Sequence, residues 1–124
     1  MCTILLSIKP EYSKNIFNGT KKYEFRKKLA KKSIDKIIVY SSSPEKQVIG
    51  EVKVLGTLSL NPSLLWETTK KEAGISRIKY GEYFKNCEKA YAYILGDYIE
   101  YNEPKALTEF GVYRAPQSFM YIEH

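Results

Sequence analysis

Residues 19–26, Gly19-Thr20-Lys21-Lys22-Tyr23-Glu24-Phe25-Arg26, carry the chain from a helix into a strand and hold its tightest cluster of chemically capable side chains. Side chains alternate faces along extended backbone. Lys22, Glu24 and Arg26 are therefore expected on one face, and Lys21, Tyr23 and Phe25 on the other. Tyr23 and Phe25 suit a core. Lys21 stands at the turn, where alternation is not yet enforced, and is free to swing toward either side. Glu24 and Arg26 are close enough for the guanidinium to fix the carboxylate or to reach a phosphate beside it. As an ordinary surface ion pair they would contribute less than about 1 kcal/mol.

Upstream, Thr3–Lys9 reads as a buried first strand, ended by Pro10, whose fixed φ suits the first position of a helix. Glu11 falls in that helix's first turn, Tyr12, Ile16 and Phe17 form its apolar stripe, and Gly19 is placed to end it in the left-handed conformation. Downstream, a strand is expected from about Tyr23 to Lys28, then a lysine-rich connection from Leu29 to Asp35. Lys36–Tyr40 is a strongly β-prone strand closed by Ser41-Ser42-Ser43-Pro44, a loop whose hydroxyls suit either a site mouth or a plain turn. Val48–Leu60 reads as a long strand whose phase breaks at Leu55-Gly56, as a bulge would break it.

Asn61-Pro62 gives an N-cap and first-turn proline for a helix running to about Gly74, and Ser76 caps a second. Together they predict a helical insertion around 62–86, with Trp66 as a core or anchor residue and Glu72 as a solvated charge. Ala90–Tyr101 alternates weakly, and Gly96-Asp97 within it is a hairpin signal, so two strands ending at Asn102-Glu103-Pro104 are expected. A turn at Glu109-Phe110-Gly111 leads into Ala115–Ile122, in which Phe119, Tyr121 and the residues between them fit a closing strand. The fold class that follows is α+β: a small mixed β-barrel of about six strands, with a helix after the first strand and the helical insertion.

At 124 residues the chain fits one domain, 1–124, and 44% hydrophobic content argues against disorder. The net charge of +6 is unevenly distributed. Residues 1–54 carry twelve Lys/Arg against five Asp/Glu, whereas residues 55–124 carry eight against nine. The cations concentrated in 21–36 suit either a polyanionic partner or a solubilising face. Cys2 and Cys87 have no metal or redox spacing and read as incidental thiols. His124 is the only histidine, which leaves no histidine triad and no zinc set; no metal or cofactor is expected. Neither a signal peptide nor an apolar run near 18 residues stands out, so a cytoplasmic protein without membrane contact is expected.

Gly19-x-Lys21-x-x-Glu24-x-Arg26 reproduces the G-x-K-x-x-E-x-R signature of the ASCH family, small PUA-like β-barrel domains, and the resemblance covers essentially the whole chain. The opening ILLSIKPEYSKNIFNGTKKYEFRKK resembles that family's first strand, helix and second strand; IIVYSSSP and VIGEV resemble its third and fourth strands, and APQSFMYI its closing strand. The resemblance implies a cleft beside the first helix, where the motif's Lys, Glu and Arg meet the third-strand loop. It also implies binding of RNA or nucleotides, with roles as coregulators or RNA-processing modules, and in some members ribonuclease or N4-acetylcytidine amidohydrolase activity. Where the amidohydrolase branch has a threonine, Glu24 stands here, which counts against deacylation by that route.

An RNA- or nucleotide-binding role would draw on Lys9, Lys21, Arg26, Lys27 and Lys28 for phosphate contacts. Tyr40, Ser42 and Ser43, with Gln117 and Ser118, would supply stacking and hydrogen bonds. The alternative is a small metal-independent hydrolase, a ribonuclease or modified-cytidine amidohydrolase. In it Lys21 serves as base, while Glu24 and Arg26 position substrate and charge.

Overall fold

A computed structural model describes residues 2–123; the sequence expectation that rests on His124 lies outside them. The element order is β1 (Thr3–Ile8), α1 (Pro10–Phe17), β2 (Tyr23–Arg26), β3 (Lys36–Ser41), β4 (Gln47–Leu60), α2 (Pro62–Thr69), α3 (Arg77–Tyr83), β5 (Ala90–Lys105) and β6 (Phe119–Ile122). All six strands join one sheet in the order β2-β5-β4-β3-β1-β6. Only β1 and β3 run parallel; β1–β6, β2–β5, β3–β4 and β4–β5 are antiparallel. The sheet is mixed and curls into a half-barrel, so the small α+β barrel expected from the sequence is realised with an open seam between its edge strands β2 and β6.

Burial explains the strand order. Ile4, Leu5 and Leu6 of β1 and Ile37, Ile38 and Val39 of β3 are almost wholly inaccessible on both faces of the sheet, as continuous apolar runs in a parallel pair require. On one face Ile4, Leu6, Ile37 and Val39 meet Val52 and Val54 of β4 and Ile16 of α1. On the other, Leu5 and Ile38 meet Val48, Val112 and Ile122 beneath the C-terminal tract. A separate cluster of Phe25, Leu65, Tyr80, Phe84, Ala90 and Ala92 fastens the helical insertion to β2 and β5. Phe25 lies edge-on to Tyr80, ring centroids 5.1 Å apart, and Trp66 tilts onto Tyr80 at 4.9 Å, which makes the tryptophan an anchor of the insertion.

Local signals set the helix ends. The Asn61 side chain accepts the Leu64 N–H at 2.8 Å and Ser76 Oγ the Lys79 N–H at 3.1 Å, satisfying donors that the first turns of α2 and α3 leave open. After α2 the chain tightens into a 3-10 turn, Lys70–Glu72. Asn61→Ala should cost about 1 kcal/mol, read as a lowered urea midpoint with an unchanged m-value.

Two expectations are corrected. Gly96-Asp97 is no hairpin turn, and β5 is one strand that runs on through Asn102-Glu103-Pro104 to Lys105. Leu95 pairs with Val54 and Tyr98 with Val52, so Gly96 and Asp97 together oppose Lys53 alone in a bulge. A Cβ on Gly96 would stand 2.8 Å from Leu55 Cδ2; the glycine makes room for the neighbouring β4 bulge rather than for a reversal. That β4 bulge falls at Leu55-Gly56, as the sequence phase required, because Val54 and Gly56 pair with successive residues Leu95 and Ile94. Second, β2 stops at Arg26, leaving Lys27 and Lys28 outside the ladder. The closing strand starts at Phe119, as expected, and runs to Ile122.

Candidate functional site

The site is built where the sheet's two edges come together. Arg26, at the end of β2, donates through Nη2 to the Ser7 carbonyl of β1 at 2.8 Å. Ser7 in turn ties down the tract before β6: its N–H donates to the Ser118 carbonyl at 3.0 Å and its Oγ to the Pro116 carbonyl at 2.7 Å. The guanidinium therefore spans the open seam and fixes its width. Arg26 also grips Glu24, with Nε at 3.1 Å and Nη2 at 2.8 Å from the same carboxylate oxygen, Oε2. This leaves Oε1 facing Lys21, whose Nζ lies 3.9 Å away. Among the described residues no donor reaches Oε1 within hydrogen-bond distance, so it can accept one from a ligand.

Lys21 has swung to the Glu24 side, and distant contacts hold it there. Its Nζ donates to the Ala73 carbonyl at 2.9 Å and stands 4.9 Å from the Phe25 ring centroid and 5.4 Å from that of Tyr12. Its backbone N–H bonds to the Asn15 carbonyl at 3.0 Å. Lys22, expected beside Glu24 and Arg26, instead is exposed and does not line the cleft. The reason is local: although its carbonyl accepts the Leu95 N–H at 2.9 Å, its own N–H is taken by the Glu72 carbonyl at 2.8 Å, and the residue-by-residue register with β5 begins at Tyr23, so strict alternation is not enforced at position 22. The carbonyls of residues 72–74 thus clasp the turn, since Gly74 accepts from Asn15 Nδ2 at 3.3 Å as well. Glu72 acts through this backbone contact; its side chain is exposed.

Lys21 is 3% exposed, Glu24 6%. Desolvation pushes the Lys21 amine below the ordinary lysine value of 10.5; Glu24 draws it partly back up, and Arg26 adds to the depression. A buried amine held against a carboxylate and a carbonyl is poised to exchange a proton nearer neutrality than a surface lysine.

Around this floor opens a cleft of about 810 Å³, the size of a small-molecule site. One wall carries Lys9, Tyr40, Ser42, Ser43 and Lys46, with Gln117 from the tract before β6; the other carries Tyr12, Ile75, Lys79 and Tyr83. Of the residues singled out from the sequence, the cleft gathers Lys9, Lys21, Glu24, Arg26, Tyr40, Ser42, Ser43 and Gln117. Lys27, Lys28 and Ser118 do not line it: the two lysines lie past the end of β2, and Ser118 is committed through its carbonyl to Ser7. Sequence reasoning passed over Ser7, Lys46 and the α1–α3 wall. Lys79 donates to Glu11 at 2.9 Å across that wall, a contact between residues 68 apart that no local pattern announces. The Tyr12 hydroxyl there is pushed above its ordinary value of 10.0, first by burial and then by Glu11.

Among the described residues no group of His, Cys, Asp or Glu is placed to hold a metal ion, and no helix is long and apolar enough to cross a membrane. Cys2 and Cys87 are free thiols.

The sequence profile of the ASCH domain matches residues 6–103, spanning the cleft floor and both walls apart from the 115–117 tract. The chain belongs to the ASCH domain family. The crystal structure of ASCH from Zymomonas mobilis superposes with a TM-score of 0.89 at 28% identity, covering 98% of this chain and 87% of that one. This ASCH domain is also similar to an "ASCH domain-containing ribonuclease" of Zymomonas mobilis, 33% identical over 95 residues that make up 76% of this chain and 64% of the relative. A protein of Ureaplasma parvum named "ATP synthase subunit alpha" is 30% identical over 122 residues, 98% of this chain but 15% of its own length. The chain therefore spans less than two thirds of either curated relative.

Proposed function

We propose that the cleft binds single-stranded RNA, seating one nucleotide over Lys21, Glu24 and Arg26. The observation that carries this reading is the floor itself: a buried lysine and carboxylate with a partly buried arginine, mutually oriented in advance, at the bottom of a nucleotide-sized opening. Glu24 Oε1 offers an acceptor to a base or ribose donor. Lys9 and Lys46 on the rim have no carboxylate partner among the described residues and can meet a phosphate, while Tyr12, Tyr40 and Tyr83 offer rings against which a base can stack. The basic N-terminal half and the ribonuclease name of the Zymomonas relative point the same way.

Binding should weaken as salt rises, with a slope in log K against log salt of about −0.7 for each phosphate contacted. Lys21→Ala and Arg26→Ala should each lower affinity at least tenfold, equivalent to about 1.4 kcal/mol. Fluorescence anisotropy with labelled oligoribonucleotides measures both; salt-independent binding, or variants that bind like the wild type, would rule the reading out.

A second reading, metal-independent RNA cleavage, is favoured by the depressed Lys21 amine. In it the neutral amine takes the proton from a ribose 2′-hydroxyl. The 2′-oxygen attacks the adjacent phosphorus, the bond from phosphorus to the 5′-oxygen breaks, and that oxygen leaves with a proton from water, giving a 2′,3′-cyclic phosphate and a 5′-hydroxyl. The base works deprotonated, so the rate should rise with pH and level off once the amine is neutral, below 10.5. Intact RNA after long incubation at pH 9 in chelator would sink this second reading and leave the first standing.

A further inference from the structure

Residues 27–32 follow the end of β2 and meet the cleft at Tyr83, a lining residue whose ring lies under Lys27, and they are arranged for a purpose that the floor does not use. Lys27, Lys28, Lys31 and Lys32 are all exposed, and none has a carboxylate partner among the described residues, whereas the charged side chains of the floor are mutually paired. The segment is not slack. The Ala30 N–H donates to the Tyr93 hydroxyl at 2.8 Å and the Lys32 N–H to the Tyr121 hydroxyl at 3.2 Å, so two tyrosines on different strands fix its course across the open seam.

Each end of this segment is paired with a half-exposed aromatic ring. Lys27 Nζ sits 5.0 Å from the centroid of Tyr83, which lines the cleft and is 37% exposed. Lys32 Nζ sits 5.0 Å from the centroid of Tyr121, on the edge strand β6 and 39% exposed. Tyr83 is braced edge-on by Phe84 at 4.8 Å and Tyr121 by Phe119 at 5.6 Å, so both rings are held while each carries an exposed lysine's ammonium over it. A base stacking there would displace the ammonium from the ring, and the displaced ammonium would be within reach of that nucleotide's phosphate. Both halves of the exchange favour a single strand of nucleic acid: bases stack on exposed aromatics, and phosphates take up free cations. Lys32 lies five positions beyond Lys27, a span of at most about 17 Å of extended chain, which leaves room for more than one nucleotide between the platforms.

We propose that residues 27–32, with Tyr83 and Tyr121, form an exit track that holds the nucleotides flanking the one in the cleft, so that the protein binds a short stretch of single-stranded RNA rather than a free nucleotide. This rests on the RNA reading of the cleft and adds to it a length requirement and a direction of exit, over β6.

Anisotropy or calorimetry with uridine monophosphate and oligouridines of increasing length tests it. In the wild type, affinity should climb from one nucleotide to several, and the salt slope should steepen with it. Lys32→Gln, at an exposed side chain, should reduce the salt slope for the longer strands by about 0.7. Tyr121→Leu should weaken those strands about fivefold or more. Both variants should bind the monophosphate like the wild type. Variants that hold long strands as tightly as the wild type would overturn the track, as would equal capture of a polyglutamate chain of matched charge. Monophosphate binding with no gain from length would overturn the track alone; failure to bind RNA of any length would overturn both the track and the cleft reading.

Discussion

Glu24→Gln should destabilise the protein by about 3 kcal/mol at neutral pH and abolish ligand binding in the cleft. The substitution keeps the side chain's shape, so little packing is lost, but it removes the one anion that stands between two cations. Glu24 is 6% exposed and Lys21 3%. Removing one partner of a buried ion pair leaves an uncompensated charge, at a typical cost of about 3–5 kcal/mol. The lower end applies here because Arg26 keeps its bond to the Ser7 carbonyl and Lys21 can shed its proton. The pH dependence follows from that proton. Lys21 is already depressed by burial, and Glu24 is the group that raises it, so the variant's amine falls further. A lysine whose folded value lies below its unfolded value of 10.5 penalises the folded state at low pH and ceases to do so as pH approaches 10.5. The gap between wild type and Glu24→Gln should therefore narrow from pH 7 to pH 10. Urea unfolding across that range measures it; a gap below 1 kcal/mol at pH 7, or one that widens with pH, would show that Glu24 does not serve as the counter-ion of Lys21.

What was legible in the sequence was what short-range chemistry decides. Asn61 and Ser76 announced their helices because a cap acts within three residues, and both caps are seen bonded. Leu55-Gly56 announced a bulge because a change of phase is written in the strand itself. Gly96-Asp97 misled because a hairpin turn and a bulge call for the same residues; only the Leu55 side chain across the ladder distinguishes them. Lys21 could not be oriented from sequence, since the carbonyl that holds it belongs to Ala73, 52 residues on. The α1–α3 wall was invisible for the same reason: Tyr12, Lys79 and Tyr83 become neighbours only when the Phe25–Tyr80–Phe84 cluster docks the insertion on β2. The Gly19–Arg26 signature gave the chemistry of the floor, and tertiary packing gave the cleft its second side.

That division makes Gly74 the sharpest point at which packing controls chemistry. Gly74 has φ +63, and a Cβ placed there would collide with the Lys21 Cβ and lie 2.7 Å from its Cγ and 2.9 Å from its Cα. The left-handed conformation alone costs a non-glycine residue about 1–2 kcal/mol, and forcing an added methyl into a filled site costs about 1–3 kcal/mol more. Lys21 cannot yield cheaply, because the Asn15 carbonyl holds its backbone and the Ala73 carbonyl its ammonium. Gly74→Ala should therefore destabilise the protein by about 3 kcal/mol or more and lower affinity in the cleft at least tenfold, although residue 74 does not line it. Gly111→Ala supplies the matched control: φ is +73 and nothing lies within 4 Å of the added carbon. It should show the conformational cost alone, about 1–2 kcal/mol, with ligand affinity unchanged. The difference between the two variants in urea unfolding isolates the clash with Lys21. Equal stabilities, or equal affinities, would mean that the insertion does not hold the lysine in place.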